Sequence, residues 1–102
     1  MVLRDKTINT SNITDSDKII KGVRGSTLSI QVDGNVNLTL KGSHENFVSS
    51  QYYTIGVVNM TTMQKMTSIK GAGLYLVIIE GLDEIVLELS GTGIIHWKEL
   101  GD

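Results

Sequence analysis

The chain of 102 residues contains no cysteine and no proline. Without cysteine there is no disulfide, no thiolate nucleophile and no cysteine metal ligand, which fits a reducing compartment. Without proline, the tight turns fall to the eleven glycines and to Asn and Asp. Aromatic residues are few: one Trp, one Phe and three Tyr. No apolar run approaches the roughly 20 residues of a membrane helix, and Met1-Val2-Leu3-Arg4-Asp5-Lys6 turns polar at once, unlike a signal peptide. Charge of neither sign dominates. Nine basic residues stand against eleven acidic ones, interspersed, for a net charge of −2. Phosphate neutralisation needs clustered Lys and Arg, so neither nucleic acid nor membrane is an expected partner.

What the sequence does have is alternation. Leu28, Ile30 and Val32 alternate with polar residues, and after Asp33-Gly34-Asn35 the pattern resumes with Val36, Leu38 and Leu40. This reads as a β-hairpin over Thr27–Gly42. Directly opposite residues share a face. Setting Val32 against Val36, Ile30 against Leu38 and Leu28 against Leu40 puts all six on one face and leaves Asp33-Gly34-Asn35 as a three-residue loop. Ser29, Gln31, Asn37 and Thr39 then point outward, and a second sheet must cover the apolar side.

Other strands follow at short intervals. Lys18–Val23 reads as a short strand. Ser43-His44-Glu45-Asn46 reads as a turn, and Gln51–Val58 as a strand rich in aromatic and β-branched residues. A loop through Met60 and Met63 leads into a strand at about Lys65–Ile69. Leu74–Ile79 is a continuous apolar run, as in a central strand covered on both sides. Glu84–Leu89 and Ile94–Lys98 form a last hairpin around Ser90-Gly91-Thr92-Gly93. It sets Leu89 opposite Ile95, Leu87 opposite Trp97, and Glu88 opposite His96, with Trp97 in the core and His96 on the surface. Tyr53 goes inward by the same alternation. The expectation is an all-β, antiparallel β-sandwich of about seven or eight short strands, with a small OB-type barrel as the runner-up. Residues 19–102 form its single domain. Residues 1–18 are polar with isolated isoleucines, and read as an edge strand, a long loop or an arm.

No catalytic constellation emerges. His44 and His96 are far apart in sequence and lack partners for a triad or a metal site. Asp15-x-Asp17 lacks the remaining ligands and the glycine of a calcium loop. Asn12-Ile13-Thr14, Asn37-Leu38-Thr39 and Asn59-Met60-Thr61 match the glycosylation pattern by composition alone. Neither glycine pair, 71/73 or 91/93, opens a helix that could hold phosphate. The expectation is a protein that is not an enzyme and has no cofactor or metal.

A set of pieces in fixed order adds to this. Leu40-Lys41-Gly42-Ser43 precedes Glu45-Asn46-Phe47. Tyr53–Met60 comes next, then Thr67-Ser68-Ile69-Lys70-Gly71-Ala72-Gly73-Leu74-Tyr75, then Glu80-Gly81-Leu82-Asp83-Glu84-Ile85, and finally Leu89-Ser90-Gly91-Thr92-Gly93. In order and spacing, over about residues 26 to 98, this resembles the small jelly-roll or galactose-binding-like β-sandwich modules of tailed-bacteriophage virions. Ser43-His44-Glu45-Asn46 departs from the Asp-Gly often found before the Asn in that family. The resemblance implies a non-enzymatic accessory or decoration protein on the capsid, neck, tail or baseplate, assembled in the bacterial host cytoplasm. Its partners are other virion proteins, and it is multi-copy or homo-oligomeric. An N-terminal arm suits such docking, because an extended segment can extend a neighbour's sheet; Thr7, Ile8, Asn9 and Ile13 are the expected contacts. The alternative is a carbohydrate-binding or host-adhesion module, with Tyr52 and Tyr75 as the glycan contacts.

Overall fold

The computed structural model describes residues 1–44 and 52–101. Among these described residues nine strands run in chain order: β1 (Val2–Asn9), β2 (Ile19–Lys21), β3 (Thr27–Ser43), β4 (Tyr53–Thr54), β5 (Val57–Asn59), β6 (Lys65–Met66), β7 (Ile69–Lys70), β8 (Gly73–Ile78) and β9 (Glu84–Leu100). Two 3-10 turns, Thr10–Asn12 and Ser16–Lys18, lie between β1 and β2. Every strand pair is antiparallel. All nine belong to one sheet with the path β1-β9-β3-β8-β5-β6; β2 flanks β9, and β4 and β7 flank β3.

Neither expected hairpin forms. β3 and β9 are each one strand of 17 residues, and they pair along their whole length, from Thr27 opposite Leu100 to Ser43 opposite Glu84. The two segments read as turns meet each other instead: Gly34 lies opposite Gly93, Asn35 opposite Thr92 and Val36 opposite Gly91. Val32 therefore faces Ile95, not Val36. Glu88 lies opposite Thr39, while His96 lies between Gln31 and Thr7. The glycines permit close approach rather than reversal of the chain. A Cβ on Gly91 would run into the Asn35 carbonyl oxygen, and one on Gly93 into that of Asp33. Gly34 (φ +103°) and Gly91 (φ +93°) also hold backbone angles that L side chains resist.

Alternation survives this correction, because a continuous strand keeps the same parity as the hairpin would have. The even positions Leu28, Ile30, Val32, Val36, Leu38 and Leu40 are all buried. On β9 the odd positions Ile85, Leu87, Ile95, Trp97 and Glu99 are buried too. Trp97 is in the core as expected, and its indole N–H has no hydrogen-bond partner there.

A straight 17-residue strand would be about 55 Å long, yet the molecule extends only 36 Å along its longest axis. The ladder must fold back at its middle. The connection after β8 shows where the halves meet. Ile79 N–H donates to the Ser26 carbonyl at one end of β3, and Asp83 N–H donates to Ser43 at the other. The single sheet thus closes over itself as an antiparallel β-sandwich around one cluster of buried residues.

The remaining strands are shorter than the sequence suggested. Of the expected Gln51–Val58 strand, Gln51 lies outside the described residues and the rest holds β4 and β5, broken at Ile55-Gly56; Lys65–Ile69 divides into β6 and β7. β8 is covered on one side only. Tyr75 and Val77 are buried, whereas Leu74 and Ile78 are exposed at 45% and 71%. Of the three readings of residues 1–18, the edge strand describes β1, which pairs with β9 from Val2 to Asn9.

Gly91→Ala and Gly71→Ala separate backbone strain from close approach. Both glycines have positive φ, but a Cβ on Gly71 meets nothing within 4 Å. Gly71→Ala is expected to cost about 1–2 kcal/mol for the left-handed backbone. Gly91→Ala should cost roughly 1–3 kcal/mol more for the clash, measured by urea unfolding. Equal costs would mean that the backbones of β3 and β9 do not touch at the bend.

Candidate interaction surface

β8 presents an apolar row on its outer face. Its outward side chains are Leu74, Leu76 and Ile78, because Tyr75 and Val77 of the same strand fill the core. Val58 of β5 lies opposite Leu76 and is half-buried beside it. On the other flank the row turns polar, with Thr27, Ser29 and Gln31 of β3 opposite Ile78, Leu76 and Leu74. A strand facing water on one side ordinarily places polar residues there. Three outward apolar residues in succession make a ridge of the kind that marks interaction sites.

At the Ile78 end the ridge runs into a groove of about 490 Å³. Tyr53, Ile55 and Leu82 form its apolar walls, and Ser43, His44 and Glu80 add polar groups. Gly42 forms part of the lining because a side chain there would strike Leu82 and Ile55. Tyr53 is 68% exposed, contrary to the inward position expected from alternation. The two-residue β4 ends before a second inward position can fix its parity.

The expected glycan tyrosines separate. Tyr75 is buried, and its hydroxyl donates to the Gly71 carbonyl at 3.1 Å, so it is unavailable to a glycan. Its place on the inward side of β8 leaves it no path to solvent. Tyr52 is 37% exposed, and its hydroxyl donates to Glu84 Oε1 at 2.5 Å. That bond to a carboxylate, followed by burial, raises the phenol above its ordinary pKa. Phe47 lies outside the described residues. His44 Nδ1 sits 3.8 Å from Asp83. His96 is half-buried, with Nδ1 2.6 Å from Thr7 Oγ1. Among the described residues, no three His, Asp or Glu side chains gather as a metal site would require.

The four expected contacts near the N-terminus also divide. Thr7 and Asn9 are exposed, and Asn9 Oδ1 accepts from the Ser11 amide at 3.0 Å to cap the first 3-10 turn. Ile8 is 3% exposed and Ile13 packs half-buried against the core, so neither side chain is presented to a neighbour. Ile8 points into the sandwich because β1 lies in the sheet and is not a free arm; Ile13, beyond β1, packs against the same core.

What seats β1 is a buried carboxylate. Glu99 has no exposed side-chain surface. Arg4 Nε donates to its Oε1 at 2.6 Å, and the amides of Arg24 and Gly25 donate to Oε2 at 2.7 and 2.8 Å. Arg4 also donates to the carbonyls of Lys21 and Gly22. Burial alone would push the Glu99 carboxyl up; the donors outweigh it and hold it below its ordinary value of 4.5. Sequence reasoning missed this cluster. The signal was an acid two residues beyond Trp97, on the inward parity of β9. Lys6 pairs with Asp17, whose pKa falls to about 2 through that bond and the Thr14 amide.

No protein-family model matches the chain, and no curated protein matches it in sequence. In fold it is similar to the SPBc2 prophage-derived protein YomS. The likeness has a TM-score of 0.61 over 93% of this chain and 92% of that one, at 13% identity. YomS thus shares the architecture end to end, with few of the residues.

Glu99→Gln tests the clamp. Removing one partner of a buried pair costs about 3–5 kcal/mol, and Arg4, about a third exposed, puts the expected loss near the lower figure. A carboxyl with a lowered folded pKa stabilises fully above its unfolded value and loses that contribution as pH falls through the folded one. The stability gap between parent and variant should therefore be full above pH 4.5 and narrow as pH drops below it. A gap independent of pH in urea melts would remove the ionised carboxylate from the account.

Proposed function

We propose that the protein is a non-enzymatic structural component of a tailed-bacteriophage virion. It acts as an accessory module on the capsid, tail or baseplate, assembled in the host cytoplasm and present in many copies. The observation that carries this reading is a fold shared along nearly the whole of both chains with a prophage-derived protein. The order of motifs over residues 26 to 98 supports it independently. The outer ridge of Leu74, Leu76 and Ile78 gives such a module a surface on which to dock. Many copies on one particle make individually weak contacts add up.

The second reading, a carbohydrate-binding or adhesion module, rests on Tyr53 in the wall of the groove and on Tyr52, its neighbour in sequence. A sugar ring would stack on such an aromatic face while Ser43, His44 or Glu80 met its hydroxyls. With Tyr75 buried, Tyr52 keeps this role only alongside Tyr53.

Mass spectrometry of density-purified particles, with copy number set against the major capsid protein, separates the two. The virion reading expects a stoichiometric signal, and absence from particles would overturn it. Leu74→Glu and Ile78→Glu act on exposed positions, so each should change stability by no more than about 0.5 kcal/mol. Together they are expected to abolish particle association. Unchanged association would place the docking surface elsewhere. Tyr52→Ala with Tyr53→Ala should leave association intact, and a glycan array that these variants silence would favour adhesion instead.

A further inference from the structure

β1 belongs to the sheet but contributes little to its core. Of the buried hydrophobic residues, Ile8 alone comes from the first 18 positions; the others lie between Ile20 and Trp97. β1 pairs with a single strand, β9, and ends the path of the sheet. Residues 10–18 connect it to β2 through two 3-10 turns and no ladder. Nearly all of the buried apolar core therefore lies outside the segment that would leave.

The slot that β1 would vacate is selective. Without Arg4, Glu99 keeps two backbone amides and has no counter-charge. An occupant must carry an arginine that reaches Glu99 and, four residues on along the same face, an apolar side chain for the Ile8 position. A second copy of this chain brings that strand. Lys6 goes with the exchanged strand, whereas its pair Asp17 lies in the linker two residues before β2. The nine linking residues, fully extended, span up to roughly 30 Å, enough to reach a neighbour.

The outer edge of β1 is a poorer site for self-association. Antiparallel pairing of two β1 edges about a two-fold axis at Asp5 sets Asp5 against its own copy and Arg4 against Lys6; moving the axis to Lys6 sets lysine against lysine. Like charges directly opposite are destabilising. A register shift between Val2 and Arg4 further breaks that edge.

We infer that β1 is an exchangeable strand: in concentrated protein, β1 of one copy occupies the slot beside β9 of another, with Arg4 on the partner's Glu99. Exchange recreates the contacts of β1 itself and gives up those of the extended linker, such as the bond from the Gly93 amide to Thr10 Oγ1, so the closed form prevails in dilute protein and exchange needs concentration. This stands apart from the virion reading, because it is a property of the purified chain.

The absence of native cysteine makes the test direct. Thr7 and His96 lie opposite each other with touching side chains. Full-length Thr7→Cys and His96→Cys chains are mixed at high concentration and oxidised. The expected product is the mixed disulfide dimer, well above either like-with-like dimer and lost on dilution before oxidation. The doubly substituted chain, dilute, should close on itself as a monomer. Mixed dimer at no more than about twice each like-with-like dimer, the ratio that random coupling of equal amounts gives, would overturn the inference. So would native mass spectrometry of the unsubstituted chain showing only monomer at the highest attainable concentration, an outcome independent of whether the cysteine variants fold.

Discussion

The structure depends on one close approach. β3 and β9 cross the middle of the molecule with their backbones too near for side chains at Gly34, Gly91 and Gly93. Because the ladder stays paired through that bend, both strands contribute to both halves of the sandwich. β1 and β8 hang on the first half, and β2, β4 and β7 on the second. A side chain at Gly91 would press on the point where the two halves share their support.

The inward and outward sides of this fold were readable in the sequence; the path of the chain was not. A two-residue period gives the same face whether Leu28–Leu40 turns back as a hairpin or runs on as one strand. Burial at Leu28, Ile30, Val32, Val36, Leu38 and Leu40 therefore followed from alternation even though the pairing did not. Asp33-Gly34-Asn35 and Ser90-Gly91-Thr92-Gly93 carry the composition of tight turns because a bend with close backbone contact needs the same residue types. Only the register, which pairs the two segments with each other, tells the cases apart. The apolar run of β8 misled for a related reason. Periodicity cannot separate a strand covered by protein on both sides from one with a sticky outer face.

Two surfaces of different physical character result. The β8 ridge is apolar and lies on a strand paired on both sides. The β1 seat is polar at its centre, governed by one buried carboxylate and by a strand attached on one side. Hydrophobic contact of the first kind tolerates varied partners of suitable shape. A buried charge rejects any strand without a matching cation, which makes the second kind discriminating. The fold shared with YomS at 13% identity fits this division, since a ladder with fixed sidedness constrains the type of residue more than its identity.

The pairing of β3 with β9 also sets an order on synthesis. The nearest partners in sequence across that ladder are Ser43 and Glu84, and the farthest are Thr27 and Leu100. β9 follows every other strand in the chain, so a nascent polypeptide emerging from the ribosome carries β3 with one whole flank unmatched until the last segment appears. Folds built from such distant pairings close slowly and expose unpaired edges while they wait. The alternation that makes β3 a good central strand also makes it the segment of the growing chain most in need of shielding.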